Sequence, residues 1–216
     1  MYPSQKTVMK HDWKKEEKAF YAPKSKPELL QIPAMNFFSI CGEGNPNHPN
    51  FAGYIRVLYS LSYAVKMSPK SGQVPPGYFE YSVYPLEGVW DISEEAKHKP
   101  MQTLDKDKLV FNLMIRQPDF VTPVYASNII EQVKKKKPHP LLDKVRFETI
   151  EEGNCVQILH LGSYDNEPYS FATLETFAES QGLMRKYKTH REIYLSDARK
   201  TSAEKLKTIL RIQVSS

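Results

Sequence analysis

Residues 155–183 read CVQILHLGSYDNEPYSFATLETFAESQGL, and this stretch decides the fold. Residues 155–161 form a short run rich in β-branched and apolar side chains, the signature of a strand. Gly162, Ser163, Asp165 and Asn166 break it with turn chemistry. From 167 to 181 the period changes to that of a helix, with Phe171, Leu174, Phe177 and Ala178 on one face and Gly182 as the stop. Two further strands are expected downstream, HREIYLSD at 190–197 and KTILRIQV at 207–214, with a possible capping box, Thr201 to Glu204, between them.

The same order recurs upstream. MNFFSICGEG at 35–44 predicts a strand, and residues 50–66 predict a helix with Phe51, Tyr54, Ile55, Leu58, Leu61 and Val65 on one face and Asn50 as N-cap. YFEYSVYPLEG at 78–88 and LVFNLMIRQP at 109–118 predict two strands. Between the copies lies a helix over 122–137, capped by Thr122, opened by Pro123 and closed by lysines. KVRFETIEEGNCVQILHLG at 144–162 predicts a hairpin about Glu152, Gly153 and Asn154. The expected class is α+β: duplicated strand–helix–strand–strand units forming an antiparallel sheet, with helices on one face and a central ligand groove. Residues 1–27 read as a lysine-rich arm, in which Trp13, Phe20 and Tyr21 suggest docking. Residues 28–216 read as one domain of two pseudo-symmetric halves, roughly 28–120 and 145–216.

Composition narrows the function classes. In 216 residues, 40% are hydrophobic and 25% charged, as in a soluble globular protein. No apolar run approaches the roughly 18 residues that span a bilayer, and the start lacks the apolar core of a signal peptide, so the expectation is a cytoplasmic protein without membrane contact. The net charge of +5 raises nucleic acid as a partner. However, the one dense cluster, Lys134–Lys137, closes a helix, and no zinc spacing, RNA-binding signature or recognition-helix pair is present, so no specific nucleic-acid partner is expected. Cys41 and Cys155 sit in apolar strand-like runs and are expected to be buried and reduced. Neither a G-x-S-x-G elbow nor an H-E-x-x-H helix occurs, so any catalysis rests on the groove. Neither a metal nor a cofactor is expected.

In HREIYLSD, alternation puts His190, Glu192 and Tyr194 on one strand face. A carboxylate between an imidazole and a phenol reads either as a solvated strand residue or as a polar anchor beneath a pocket. Several stretches in order decide for the second: YPLEGVW (84–90), LMIRQPDFVTP (113–123), LHLGSYDNEP (159–168), HREIYLSD (190–197) and ARKTSAEKLKTILRIQV (198–214). Together they resemble the GyrI-like small-molecule-binding family, over residue 28 to the end. They look like a stand-alone branch that hydrolyses the cyclopropane of planar, DNA-alkylating cyclohexadienones.

The resemblance implies a planar aromatic ligand and places Glu192 at the foot of its pocket, as the group that orients or deprotonates water. Tyr194, Trp90 and Phe111 are expected as cage walls, Met114 as an adaptable contact, and His160 and Tyr164 as further lining. His190, nearer the strand end, is left outside the site. Residues 91–108, polar and next to Trp90, are a candidate lid. Two rival readings remain open: a binding module that sequesters drugs without chemistry, and an interaction protein that inhibits DNA gyrase.

Overall fold

The computed structural model describes residues 10–98 and 105–216. Two single turns of helix, α1 (Trp13–Glu16) and α2 (Lys18–Tyr21), precede β1 (Glu28–Ile32) and β2 (Met35–Glu43). Then follow α3 (Phe51–Lys66), β3 (Leu86–Ile92), the short α4 (Glu94–Lys97), β4 (Leu109–Gln117) and α5 (Pro123–Lys136). The second half comprises β5 (Arg146–Ile150), β6 (Gly153–Leu161), α6 (Glu167–Ser180), the two-residue β7 (Met184–Arg185), β8 (His190–Tyr194) and β9 (Lys207–Ser215). The chain is thus an α+β protein built on one antiparallel sheet.

The strand order β1-β6-β9-β8-β3-β4-β2-β5 carries the duplication. β2, α3, β3 and β4 correspond to β6, α6, β8 and β9, and the halves meet where β3 pairs β8. The strand preceding each unit crosses over: β1 pairs β6, and β5 pairs β2. The hairpin expected about Gly153 is therefore not formed. Gly153 takes a positive φ of 67° and turns the chain there, yet β5 and β6 find partners in opposite halves. Turn chemistry specifies a reversal locally but not which strands pair after it.

Thr122 caps α5 by accepting from the Tyr125 N–H at 3.2 Å, as expected. Asn50 precedes α3 without a side-chain cap bond. Ser202, not Thr201, precedes the short 3-10 turn Ala203–Lys205, and its hydroxyl donates to Glu204 at 2.5 Å. Of the strand expected over 78–88, only Leu86 onward joins the sheet; Tyr81 makes one isolated bridge with His11. Prolines at 75, 76 and 85 and the large rings of this stretch favour an irregular, side-chain-packed path. Cys155 is buried, whereas Cys41 is exposed at the end of β2.

One sheet face packs α3 and α6, burying Phe38, Ile40, Leu58, Leu61 and Leu113 on one side and Val156, Leu174, Leu210 and Ile212 on the other. The opposite face is crossed by the arm. Trp13 donates to the Val83 carbonyl, Tyr21 to Glu87, and Gln157 and Arg211 to the carbonyls of Ala19 and Phe20. Trp13 and Tyr21 are buried, so the arm docks through its rings, while Lys14, Lys15, Glu16 and Lys18 stay exposed.

Candidate functional site

A single row of residues crosses six strands on the helix-covered face: Ile40, Leu113, Gly88, Glu192, Leu210 and Ile158. Five are apolar or glycine. The sixth, Glu192, is only 8% exposed and lies at the junction of the halves. A carboxylate desolvated there needs donors. His190 Nε2 lies 3.0 Å from Glu192 Oε1, and the Tyr194 phenol lies close enough to feel the same carboxylate's charge. The Trp90 indole N–H in turn donates to the Tyr194 hydroxyl at 2.7 Å.

Trp90 is positioned from β3 and α3. Phe51, the first residue of α3, lies nearly parallel to it, with centroids 6.1 Å apart and planes at 27°. Phe111 meets Phe51, Tyr54 and Trp90 at 5.1, 5.2 and 5.4 Å. Two glycines admit these rings. A Cβ at Gly42 would lie 2.5 Å from the Phe111 ring, and one at Gly88 would lie 2.8 Å from the Trp90 indole nitrogen and 3.3 Å from the Tyr194 hydroxyl. Here glycine serves close approach rather than backbone freedom.

The second half supplies acids. Glu167, the first residue of α6, is 8% exposed, and its Oε1 is buried without a hydrogen-bond partner. Burial first, then the charges of Glu192 and Asp165, push its carboxyl up to about 9. The same acids act on the phenols: burial and then Glu192 raise Tyr164 to about 12 and Tyr194 well above its ordinary value. Tyr164 stands edge-on to Tyr194 at 6.2 Å. Phe171 of α6 meets the His190 ring edge-on at 4.5 Å, tying the imidazole that holds Glu192 to the helix.

The structure therefore brings Trp90, Phe111, Tyr164, Glu192 and Tyr194 together on one face. Met114 is not with them. It is fully buried on the opposite face, its sulfur 2.8 Å from Arg191 Nη1, because β4 alternates and Phe111 takes the helix side. His160 lies on the site's face, but both ring nitrogens are engaged, Nδ1 with the Ser170 hydroxyl at 2.9 Å and Nε2 with the Ser163 carbonyl at 3.0 Å. It fastens the turn before α6 to β6. Of the candidate lid, residues 99–104 lie outside the described residues; its ends are held by Ser93 donating to the Lys108 carbonyl and by Lys97 pairing with Asp91 and Glu94.

Sequence reading missed Glu167, Phe51, Tyr54, Gly42 and Gly88, and placed His190 outside. The signal for Glu167 was available within LHLGSYDNEP, where an acid opens a helix. Phe51 and Tyr54 fit core periodicity, which concealed them.

Behind β8, the opposite face holds a second pair of buried glutamates. Arg191 lies 2.9 Å from both Glu87 and Glu152, and Arg211 lies 3.1 Å from Glu152. Burial raises Glu152, but the two guanidiniums outweigh it and hold the carboxyl below its ordinary value. Glu152, Arg191 and Arg211 border a cavity of about 230 Å³, also lined by Asn112, Met114 and Gln213. Among the described residues, no three His, Cys, Asp or Glu side chains are grouped to hold a metal ion, and no helix is long and apolar enough to cross a membrane.

The family model for the GyrI-like small molecule binding domain matches residues 25–215. The chain belongs to the GyrI-like family. Among solved structures, this GyrI-like chain is similar to a hydrolase from Listeria innocua, at 39% identity and a TM-score of 0.85, covering 95% of this chain and 100% of that one. An uncharacterized conserved protein from Listeria innocua matches at 40% identity and a TM-score of 0.86, with the same coverage. The EcmrR C-terminal domain, at 15% identity and a TM-score of 0.50 over 88% of this chain and 97% of that one, shares the fold. No curated protein matches the chain.

Proposed function

We propose that this GyrI-like protein is a cytoplasmic hydrolase that opens the cyclopropane of planar, DNA-alkylating cyclohexadienones, and so protects the cell. The observation that carries this reading is Glu192, buried beside an aromatic wall and held by His190, with the Tyr194 phenol next to it and no guanidinium paired with it among the described residues. The Listeria innocua hydrolase, alike over its whole length, supports hydrolysis over binding alone.

The ligand stacks on Trp90, between the Phe51 and Tyr194 sides of the groove, with Phe111 edge-on beneath. Each ring pair contributes about 0.5–1.5 kcal/mol beyond burial. A planar ligand between two rings needs about 7 Å, twice the ~3.5 Å contact distance, so Phe51 and the first turn of α3 move outward to admit it. Glu192 accepts a proton from water as the water oxygen bonds to the cyclopropyl carbon. The strained C–C bond breaks, its electron pair moves into the ring, and the carbonyl oxygen becomes a phenol oxygen. Release of ring strain lets positioning supply much of the remaining acceleration.

Incubation with a panel of cyclopropanoid dienones, read by mass spectrometry, tests this. Wild type is expected to add water, and Glu192→Gln to lose about 100-fold in kcat, within the range for a positioned base, with binding kept within a few-fold. Wild-type rates in Glu192→Gln would remove the carboxylate from the mechanism. Tight binding without product in wild type would leave a sequestering protein.

A further inference from the structure

The ring opening proposed above leaves one requirement unmet, a donor at the oxygen on which negative charge develops. We infer that Glu167 is that donor: it stands opposite Glu192 across the groove as a carboxylic acid and delivers its proton to the ligand's conjugated carbonyl oxygen. The inference rests on the hydrolase reading and deepens it.

Three observations converge on this residue. Glu167 is over nine-tenths buried, and its Oε1 has no partner, a state that costs free energy unless a ligand completes it. It opens a helix of 14 residues, in the motif that leads directly from β6 into α6. Among the described residues, the titratable groups that act on it are acids and phenols. Glu192 and Tyr194 approach from β8, and Tyr164 and Asp165 from the turn before the helix. Lys106, in the turn before β4, lies 3.5 Å from Asp165 at the exposed surface. Glu167, whose Oε1 has no partner, is the group that burial and its acidic neighbours favour in the protonated form. Glu192, with the His190 imidazole against it, is placed to receive a proton from water.

Atoms balance over the cycle. The water oxygen bonds to the cyclopropyl carbon, and Glu192 takes a water proton. The C–C bond's electron pair ends on the carbonyl oxygen, and Glu167 supplies the proton that makes it a phenol. The two carboxyls then re-equilibrate one proton. A donor at about 9 is close to the roughly 10 of an ordinary phenol, so transfer at the transition state is nearly thermoneutral.

The test uses the full chain with two probes. The first is a cyclopropyl cyclohexadienone, for turnover; the second is anthraquinone, a planar carbonyl compound that cannot be hydrolysed, for binding. In wild type, both kcat and anthraquinone affinity are expected to fall as pH rises through about 9, because Glu167 ionises and the donor is lost. Glu167→Gln keeps an N–H donor but no transferable proton: kcat should fall by about 100-fold, while anthraquinone affinity stays within a few-fold and becomes independent of pH between about 7 and 10. Folding reports independently. A carboxyl raised in the folded state costs stability progressively from its ordinary value of 4.5 up to about 9. The denaturant midpoint of wild type should therefore fall with pH across that window relative to Glu167→Gln. An alkaline fall in affinity that persists in Glu167→Gln, or unchanged kcat in that variant, overturns the assignment. If anthraquinone binding and the midpoints behave as expected but no dienone is hydrolysed, Glu167 stands as the ligand's donor and the hydrolase reading falls instead.

Discussion

β8 separates two pairs of buried glutamates. Behind it, Glu87 and Glu152 meet Arg191 and Arg211, and the whole cluster is tied to the arm through Tyr21, Ala19 and Phe20. In front, Glu167 and Glu192 meet a histidine, phenols and aromatic rings, and Glu167 Oε1 meets nothing. The difference is the guanidinium. Behind the strand, Arg191 and Arg211 hold Glu152 below its ordinary value, while burial still raises the fully enclosed Glu87 against their pull. In front, burial and the neighbouring acids push Glu167 up to about 9.

The comparison can be broken from either side. The largest effect is expected behind the strand: Arg191→Met leaves Glu87 and Glu152 short of a cation and should cost about 3–5 kcal/mol, read as a lower urea midpoint at neutral pH. An Arg191→Met protein as stable as wild type would mean that the rear pair is no more structural than the front one. At the border of the groove, Gly88→Ala drives a methyl to 2.8 Å from the Trp90 nitrogen. It should cost about 1–3 kcal/mol of overpacking and part Trp90 from Tyr194, so that ligand affinity falls with stability; unchanged affinity would detach that hydrogen bond from the site. The smallest effect belongs to the wall. Phe51→Ala should weaken planar ligands about 2- to 10-fold, one ring pair, with kcat and urea midpoint near wild type. A large fall in kcat would mean that Phe51 orients the reacting carbon rather than merely covering it.

Much of this was legible from periodicity. The strands about 35–43, 109–117 and 207–215 and the helices about 51–66, 123–136 and 167–180 follow from spacing and caps, because each is long enough for its period to show. β1 was not legible: Glu28–Ile32 is a short run between prolines, and it is a strand only because β6 presents an open edge. Glu192 and Tyr194 on a shared face follow from alternation alone. Met114 failed for the complementary reason. Alternation says that Phe111 and Met114 part company, but not which of them meets the groove, and that was decided by Gly42 and Tyr54 leaving room for a ring on the helix side.

By itself the sequence determined the elements, their duplication and the shared strand face of His190, Glu192 and Tyr194, since these depend on neighbours a few residues apart. Tertiary structure alone decided that β1 and β5 exchange halves, that Phe51 covers Trp90, and that Glu167 comes to face Glu192 from 25 positions away. Local periodicity sets which way a side chain points. What it meets there depends on the strand or helix packed opposite, and no spacing along the chain encodes that partner.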